Sequence, residues 1–461
     1  MDSSSAPSPA GLTNGHSGPN GVNGSSSFNS SPHARVPKRL YSLSQPPSLS
    51  AFETLCSQST SRETYPHAAT VTSNIPIYDL PADGDARLAD GSYIDALQDE
   101  WHHILLSGPG VMVLRDFYRD RALLERVNEV FAAIIASESE PSAADAAAGA
   151  GADADSGSAV APSKKKGDHF AASGSNARIW NSFQKHALRD PASFARYYAN
   201  PYLAAVCAAW LGPGYQITAQ VNVVHPGGKP QVPHRDYHLG FQTAEACAQF
   251  PAATQTASAL LTLQGAVAHS DMPLASGPTR FLPFSQLFAP GFMAYRLPEF
   301  QAFFAAHWVS LPLRAGDAVF FNPALFHAAG ENRTPDVHRS ANLLQVSSAF
   351  GRTMESIDSL AIIARCWDEV RKMYAEDEQG GNRGGTEVRS GATGCVTRVQ
   401  ALLSAMGSGY PFPTNLDRRP PAPGGMAPES EVDILRKGLQ EGWNVDEVVA
   451  AITAIRADSM P

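Results

Sequence analysis

The run Ile217–Val224 constrains this chain most. It alternates small or apolar residues with the polar Thr218, Gln220 and Asn222, and it is rich in β-branched side chains. Successive side chains of an extended backbone point to opposite faces, so the pattern predicts a strand with one apolar and one wet face. His225-Pro226-Gly227-Gly228-Lys229-Pro230 then turns the chain, because proline and glycine punctuate regular structure. Through Val232-Pro233 the chain reaches His234-Arg235-Asp236. In an extended segment residues i and i+2 share a face, so His234 and Asp236 address one point. With a distant second histidine they would form a 2-His-1-carboxylate set, which holds Fe(II) and leaves coordination positions open.

That second histidine is expected at His327. Leu313–Phe321 reads as a Gly316-Asp317 turn feeding an apolar strand, and after Asn322-Pro323 the chain arrives at Leu325-Phe326-His327. Twelve residues further stands Arg339, heading another strand-like run, Ser340–Val346. Two adjacent antiparallel strands would set Arg339 beside His327, where a guanidinium can grip a carboxylate by two parallel hydrogen bonds. His238 lies on the same expected face as His234 and Asp236. Alternate residues of a strand are about 6.6 Å apart, too far for three successive ligands, so His238 is expected behind the ligands or facing substrate. His225 and His269 are read as non-ligands. Arg333, in a turn-like stretch, and Arg352, beyond the strand, are rivals to Arg339.

The pattern His234-x-Asp236, a distant His327 followed by Ala328-Ala329-Gly330-Glu331-Asn332, and then Arg339 resembles the phytanoyl-CoA dioxygenase family. The resemblance covers about residues 75–350. Gly108–Tyr118 looks like the family's opening strand, and Ser276-Gly277-Pro278 is similar to its mid-domain Gly-Pro turn. Phe284 and Gln286 stand where the family has Gly and His. The resemblance implies a mainly β, α+β protein with a double-stranded β-helix, or jelly-roll, core and flanking helices. It implies that His234, Asp236 and His327 bind Fe(II), and that Arg339 binds the distal carboxylate of 2-oxoglutarate. O2 is the further co-substrate, and ascorbate is compatible with the scheme. The implied activity is oxidation of a C–H bond of a small organic molecule, with succinate and CO2 as products. If the polar face of Ile217–Val224 looks inward, Gln220 and Asn222 are placed to meet the 2-oxoglutarate C1 carboxylate or C2 oxygen. If it looks outward, they are only a solvated face. Two other readings stand beside this one: a cupin-type metalloenzyme that does not use 2-oxoglutarate, and a non-catalytic binding protein on the same fold.

Composition narrows the partners. A formal charge of −9 lacks the basic footprint of a nucleic-acid binder. The five cysteines include no CxxC pair, which argues against a disulfide framework or a thiolate zinc site. No apolar run approaches the ~20 residues of a membrane helix, and neither a signal peptide nor a peroxisomal C-terminal signal is visible. The expectation is a cytoplasmic protein with a small-molecule substrate, no nucleic acid and no membrane; oligomeric state is open.

Four regions are expected. Residues 1–72 are rich in Ser, Pro, Gly and Asn and read as a disordered tail. Residues 73–410 form the oxygenase domain. Within it 137–168, rich in Ala, Ser, Asp and Gly and ending near Lys164-Lys165-Lys166, read as a disordered insertion. Residues 411–428 are a Pro-rich linker. Residues 429–461 form a helical hairpin, with Asn444 as N-cap and Glu447 at the capping-box position. Helices are also predicted over 90–107, 119–135, 191–210, 357–374 and 397–406, and a buried strand over 257–268.

Overall fold

The computed structural model describes residues 36–82, 85–89, 91–139, 176–379, 388–390, 394–423 and 425–460. Most of the expected insertion, with its lysine trio, lies outside them, as do residues 1–35. The fold is organised around one large sheet. Its strands are β1 (Thr70–Thr72), β2 (Ile75–Asp79), β3 (Val111–Arg115), β4 (Asn176–Ile179), β5 (Gln216–Val224), β6 (Thr262–Ala268), β8 (Ala318–Phe321) and β10 (Arg339–Ser347). They lie in the order β1-β2-β3-β8-β6-β10-β5-β4. Neighbours run antiparallel except β2 and β3.

A smaller layer covers part of one face. β7 (Arg280–Phe281) pairs with β9 (His327–Ala328), and single bridges add Val309 to Phe281 and His234 to His327. Ile77, Val113, Ala266, Val319 and Phe321 of the large sheet pack in one cluster with Phe281, Met272, Leu311, Leu313 and Leu325 of this layer. These two layers are the jelly roll. The other face of the large sheet is buried by helices, through Met112, Leu114, Val221, Leu263, Val267, Phe320, Leu344 and Val346. Strands covered on both faces read as nearly continuous apolar runs, which is why β8 and the first four residues of β3 are buried throughout.

The helices follow their caps. The single helix predicted over 191–210 is two, Pro191–Tyr198 and Pro201–Leu211. Asn200 separates them, its side chain accepting from the N–H groups of Tyr202 and Leu203, and Pro201 has no N–H to continue the first helix. The strand predicted over 257–268 begins only at Thr262; Ala252–Leu260 is helix, in keeping with its alanine content. At the C-terminus, Glu431–Gln440 and Val445–Asp458 form the expected pair, with the Asn444–Glu447 capping box in place. They pack into the same apolar cluster as the helix Ser359–Gln379, through Ile434, Leu435, Val448 and Ile452.

Residues 36–72 depart from the expected disorder. Leu49–Cys56 is helical, capped by Ser48. Its Phe52 is fully buried among Phe288, Phe300, Phe303 and Phe326. One large aromatic can anchor a polar segment, because burying it returns about 1.5–3 kcal/mol. No helix among the described residues is long and apolar enough to cross a membrane.

Candidate active site

The site lies between the two layers. β5 ends at Val224, and the turn after it carries the chain across to the small layer. There His234 pairs with His327, N–H to carbonyl in both directions at 3.0 and 3.2 Å. This bridge sets the two imidazoles side by side, with ring centroids 4.4 Å apart. The Asp236 N–H donates to the Pro323 carbonyl at 2.9 Å, fixing the third residue to the loop before His327. One ligand atom from each of His234, Asp236 and His327 lies within 4.8 Å of the others. Asp236 Oδ1 is 3.8 Å from His234 Nε2, and its Oδ2 is 3.4 Å from His327 Nε2.

The tautomers follow from the backbone. His234 Nδ1–H donates to the Val232 carbonyl at 3.0 Å and His327 Nδ1–H to the Leu325 carbonyl at 2.8 Å. Each bond ties up Nδ1 and leaves the Nε2 lone pair free, the orientation that metal-binding histidines take from such outer partners. Burial, and then the neighbouring His327, push the His234 pKa down against the pull of Asp236. Burial opposes the Asp236 carboxylate, but His234, His327 and Gln264 together outweigh it and hold its pKa below the usual value. Neutral His234 beside an ionised Asp236 is the protonation state that a divalent metal requires.

Arg339 opens β10 and lines the same cavity. The expectation that it neighbours His327 on an adjacent strand is corrected: β10 belongs to the large sheet, between β5 and β6, and β9 to the small layer. The two residues line the cavity from different layers. Arg339 is 7% exposed and donates from Nη1 to the Ser276 and Gly330 carbonyls, at 3.0 and 3.3 Å. No carboxylate pairs with it among the described residues. Burial brings its pKa down to about 10, so it stays cationic at neutral pH. A buried cation without a counter-charge is costly, and this one is complementary to an anion entering the cavity. The Gly-Pro turn shapes that wall. Gly277 has φ 72°, and a Cβ there would meet the Glu331 carbonyl at 2.3 Å, so only glycine lets the Ser276 carbonyl approach the guanidinium.

The face of β5 read as wet is enclosed. Gln220 and Asn222 are buried and line the cavity. Gln220 Oε1 accepts from Arg178 Nη1 at 2.8 Å, and Asn222 Oδ1 from Asn176 Nδ2 at 3.3 Å. His238 leaves the site instead of facing substrate. Its φ of 48° turns it aside, with Nδ1 on Ser258 Oγ at 3.0 Å and Nε2 against the Arg352 carbonyl. Arg333 and Arg352 are exposed and do not line the cavity. His225 pairs with His338 at 2.8 Å, and His269 is buried against Tyr197 and Asn128.

The lining residues to which the sequence reading gave no place in the site include Tyr237, Gln264 and Gln345. Gln264 Nε2 donates to Asp236 Oδ2 at 3.1 Å. The available signal was a glutamine within each of the strands β6 and β10.

The fold and this set of two imidazoles and one carboxylate define the class of jelly-roll proteins with a candidate mononuclear metal site. Within it, the chain belongs to the phytanoyl-CoA dioxygenase (PhyH) family, whose model matches residues 107–341, just over half of the 461. The family's cofactors are iron and 2-oxoglutarate. No curated protein matches the sequence. Among solved structures it is similar to the non-heme alpha ketoglutarate dependent epimerase SnoN from nogalamycin biosynthesis, at 17% identity and TM-score 0.36 over 56% of this chain and 82% of that one. It is similar also to the carbocyclase SnoK from nogalamycin biosynthesis (18%, 0.35, 56% and 86%). A third is HygX from Streptomyces hygroscopicus with nickel and 2-oxoglutarate bound (13%, 0.34, 56% and 90%).

Proposed function

We propose that this protein is an Fe(II)- and 2-oxoglutarate-dependent dioxygenase that hydroxylates or otherwise oxidises a C–H bond of a small organic molecule, releasing succinate and CO2. The observation that carries the reading is one cavity holding both His234, Asp236 and His327 with converging ligand atoms and the uncompensated cation Arg339.

His234 and His327 would present Nε2 to the metal and Asp236 one carboxylate oxygen. The Val232 and Leu325 carbonyls keep both rings in the binding tautomer. Gln264 holds Asp236 Oδ2 and limits its rotation. Arg339 would grip the far carboxylate of the co-substrate, and Gln220 and Asn222 are the polar groups proposed for its near end. When bound, iron and 2-oxoglutarate supply the O2-dependent oxidation of the substrate C–H bond, and the chain contributes placement and exclusion of water. Phe321, Leu311, Leu313 and Leu343 in the lining serve the second role.

The test is succinate release from the purified protein given Fe(II) and 2-oxoglutarate, against Asp236→Ala. Activity in the wild type and none in the variant is expected. Equal succinate from both would refute the reading. Arg339→Ala should weaken 2-oxoglutarate about 10- to 100-fold, the worth of a charge-assisted hydrogen-bonded pair. An unchanged affinity would favour a jelly-roll metalloenzyme that needs no 2-oxoglutarate.

A further inference from the structure

Two cavity-facing amides bind nothing with their oxygens. Gln264 on β6 and Gln345 on β10 are directly paired across the strands, which puts their Cβ atoms about 5 Å apart on one face. Gln264 Oε1 and Gln345 Oε1 are both buried and without a hydrogen-bond partner. The Gln264 amide cannot be turned over to change this, because Nε2 is committed to Asp236. The Tyr237 hydroxyl, next to Asp236 in sequence and 1% exposed as a residue, is likewise buried and unpartnered. All three side chains line the active-site cavity. Buried polar atoms are nearly always paired in folded proteins, since each one left unmade costs stability. Three such atoms around one hollow are a feature of binding sites.

Their position separates them from the co-substrate. Gln345 stands six positions along β10 from Arg339, about 20 Å at the rise of a strand. Ala341 and Leu343 line the cavity between them. A co-substrate held by Arg339 therefore occupies the other end. Beyond the polar group the rim is apolar: Phe241 and Met354 line the mouth while 42% and 41% exposed.

We propose that Gln264, Gln345 and Tyr237 form the substrate subsite, and that it takes a molecule bearing two neighbouring hydrogen-bond donors, a vicinal diol or 1,2-amino alcohol, joined to an apolar portion that rests on Phe241 and Met354. Two acceptor oxygens on directly paired residues call for donors on adjacent atoms. A fatty acyl chain offers none, and leaving the amides unpaired against it would cost affinity. This assignment deepens the proposed function and rests on it for the term substrate.

The experiment compares wild type with Gln345→Met by thermal melting, first without ligand. A side chain kept for binding is a burden on the free fold, so the variant is expected to melt at the wild-type temperature or about 1–2 °C higher. A lower melting temperature would mean that the amide serves the fold, and the assignment would fail. Next, wild type with Mn(II) and 2-oxoglutarate is melted with myo-inositol, 2-deoxystreptamine, methyl β-glucoside or palmitoyl-CoA. At least one hydroxylated probe is expected to raise the melting temperature, and Gln345→Met to abolish the rise. Stabilisation by palmitoyl-CoA alone, or by no probe, would overturn the proposal and leave these atoms to water. Failure of 2-oxoglutarate itself to stabilise the wild type would instead strike the dioxygenase reading, and is recorded separately in the same series.

Discussion

Phe284 holds a left-handed backbone, φ 68°, yet is only 4% exposed. For a residue with a Cβ this conformation costs about 1–2 kcal/mol, and the buried ring outweighs it, since deleting such a ring costs about 3–5 kcal/mol. The balance predicts an unusual order. Phe284→Ala loses the ring and keeps the strain, whereas Phe284→Gly loses the ring and recovers about 1 kcal/mol. Both should unfold at lower urea than wild type, with the glycine variant the more stable of the two; the reverse order would refute the strain. Glu355 sets a pH dependence. Its Oε1 accepts the Asn181 N–H at 2.6 Å, and burial, opposed by that bond and by Lys185, Arg178 and Gln220, raises its pKa from 4.5 to about 7. The folded state then binds this proton more tightly than the unfolded one. Between pH 4.5 and about 7 the unfolded chain releases it first, so Glu355 makes stability fall as pH rises through that window and level off above it. Glu355→Gln should remove that part of the slope. Urea midpoints of the two proteins measured from pH 4.5 to 8 should diverge in the variant's favour up to about pH 7; parallel curves would contradict the assignment.

Strand β10 shows what a sequence can and cannot disclose about an element. Its start at Arg339 and its extended character were legible, because Ser340–Val346 is β-favouring and the arginine heads it. Its neighbours were not legible, because pairing partners β5 and β6 lie far away in the chain and nothing local encodes them. For the same reason the inward aim of Gln220 and Asn222 was undecided: alternation gives two faces without saying which is enclosed. The trio itself was legible because i, i+2 spacing is local and the second histidine follows a turn of clear chemistry. The tail was misjudged at 49–56, since a single buried phenylalanine barely moves a composition. The C-terminal helices, expected beyond a linker, are fastened to the helix Ser359–Gln379. Glu431, buried, accepts from Ser359 Oγ at 2.7 Å, the Ser408 N–H at 2.9 Å and Arg456 Nε at 2.8 Å, and Trp367 Nε1 donates to the Trp443 carbonyl at 2.9 Å. Glu431→Ala strands the Ser408 N–H and should cost about 2–4 kcal/mol. Differential scanning calorimetry should show one transition displaced downward as a whole. A separate early transition, with the main one unmoved, would mean that the hairpin is an independent unit.

At the scale of the molecule, the cluster of His234, Asp236 and His327 leans on an element remote in sequence. Phe52 lies 4.9 Å from the Phe326 ring and 5.1 Å from Phe288. Phe326 immediately precedes His327, and its ring faces the Arg235 guanidinium at 5.3 Å, as Phe292 does at 5.1 Å. Arg235, between His234 and Asp236, donates to the Ser285 and Phe288 carbonyls at 2.7 and 3.0 Å. The helix Leu49–Cys56 thus supports both segments that carry the proposed ligands. Phe52→Ala should cost about 3–5 kcal/mol, and because the cavity would open under Phe326 and Phe288, it should also loosen the spacing of His234, Asp236 and His327. Glu53→Ala, on the exposed side of the same helix, should change stability by less than about 0.5 kcal/mol. The decisive measurement is Mn(II) affinity by calorimetry at a temperature where both variants remain folded. Weaker binding by Phe52→Ala than by Glu53→Ala is expected. Equal affinities alongside a lowered melting temperature for Phe52→Ala would show that the N-terminal helix stabilises the fold without positioning the site.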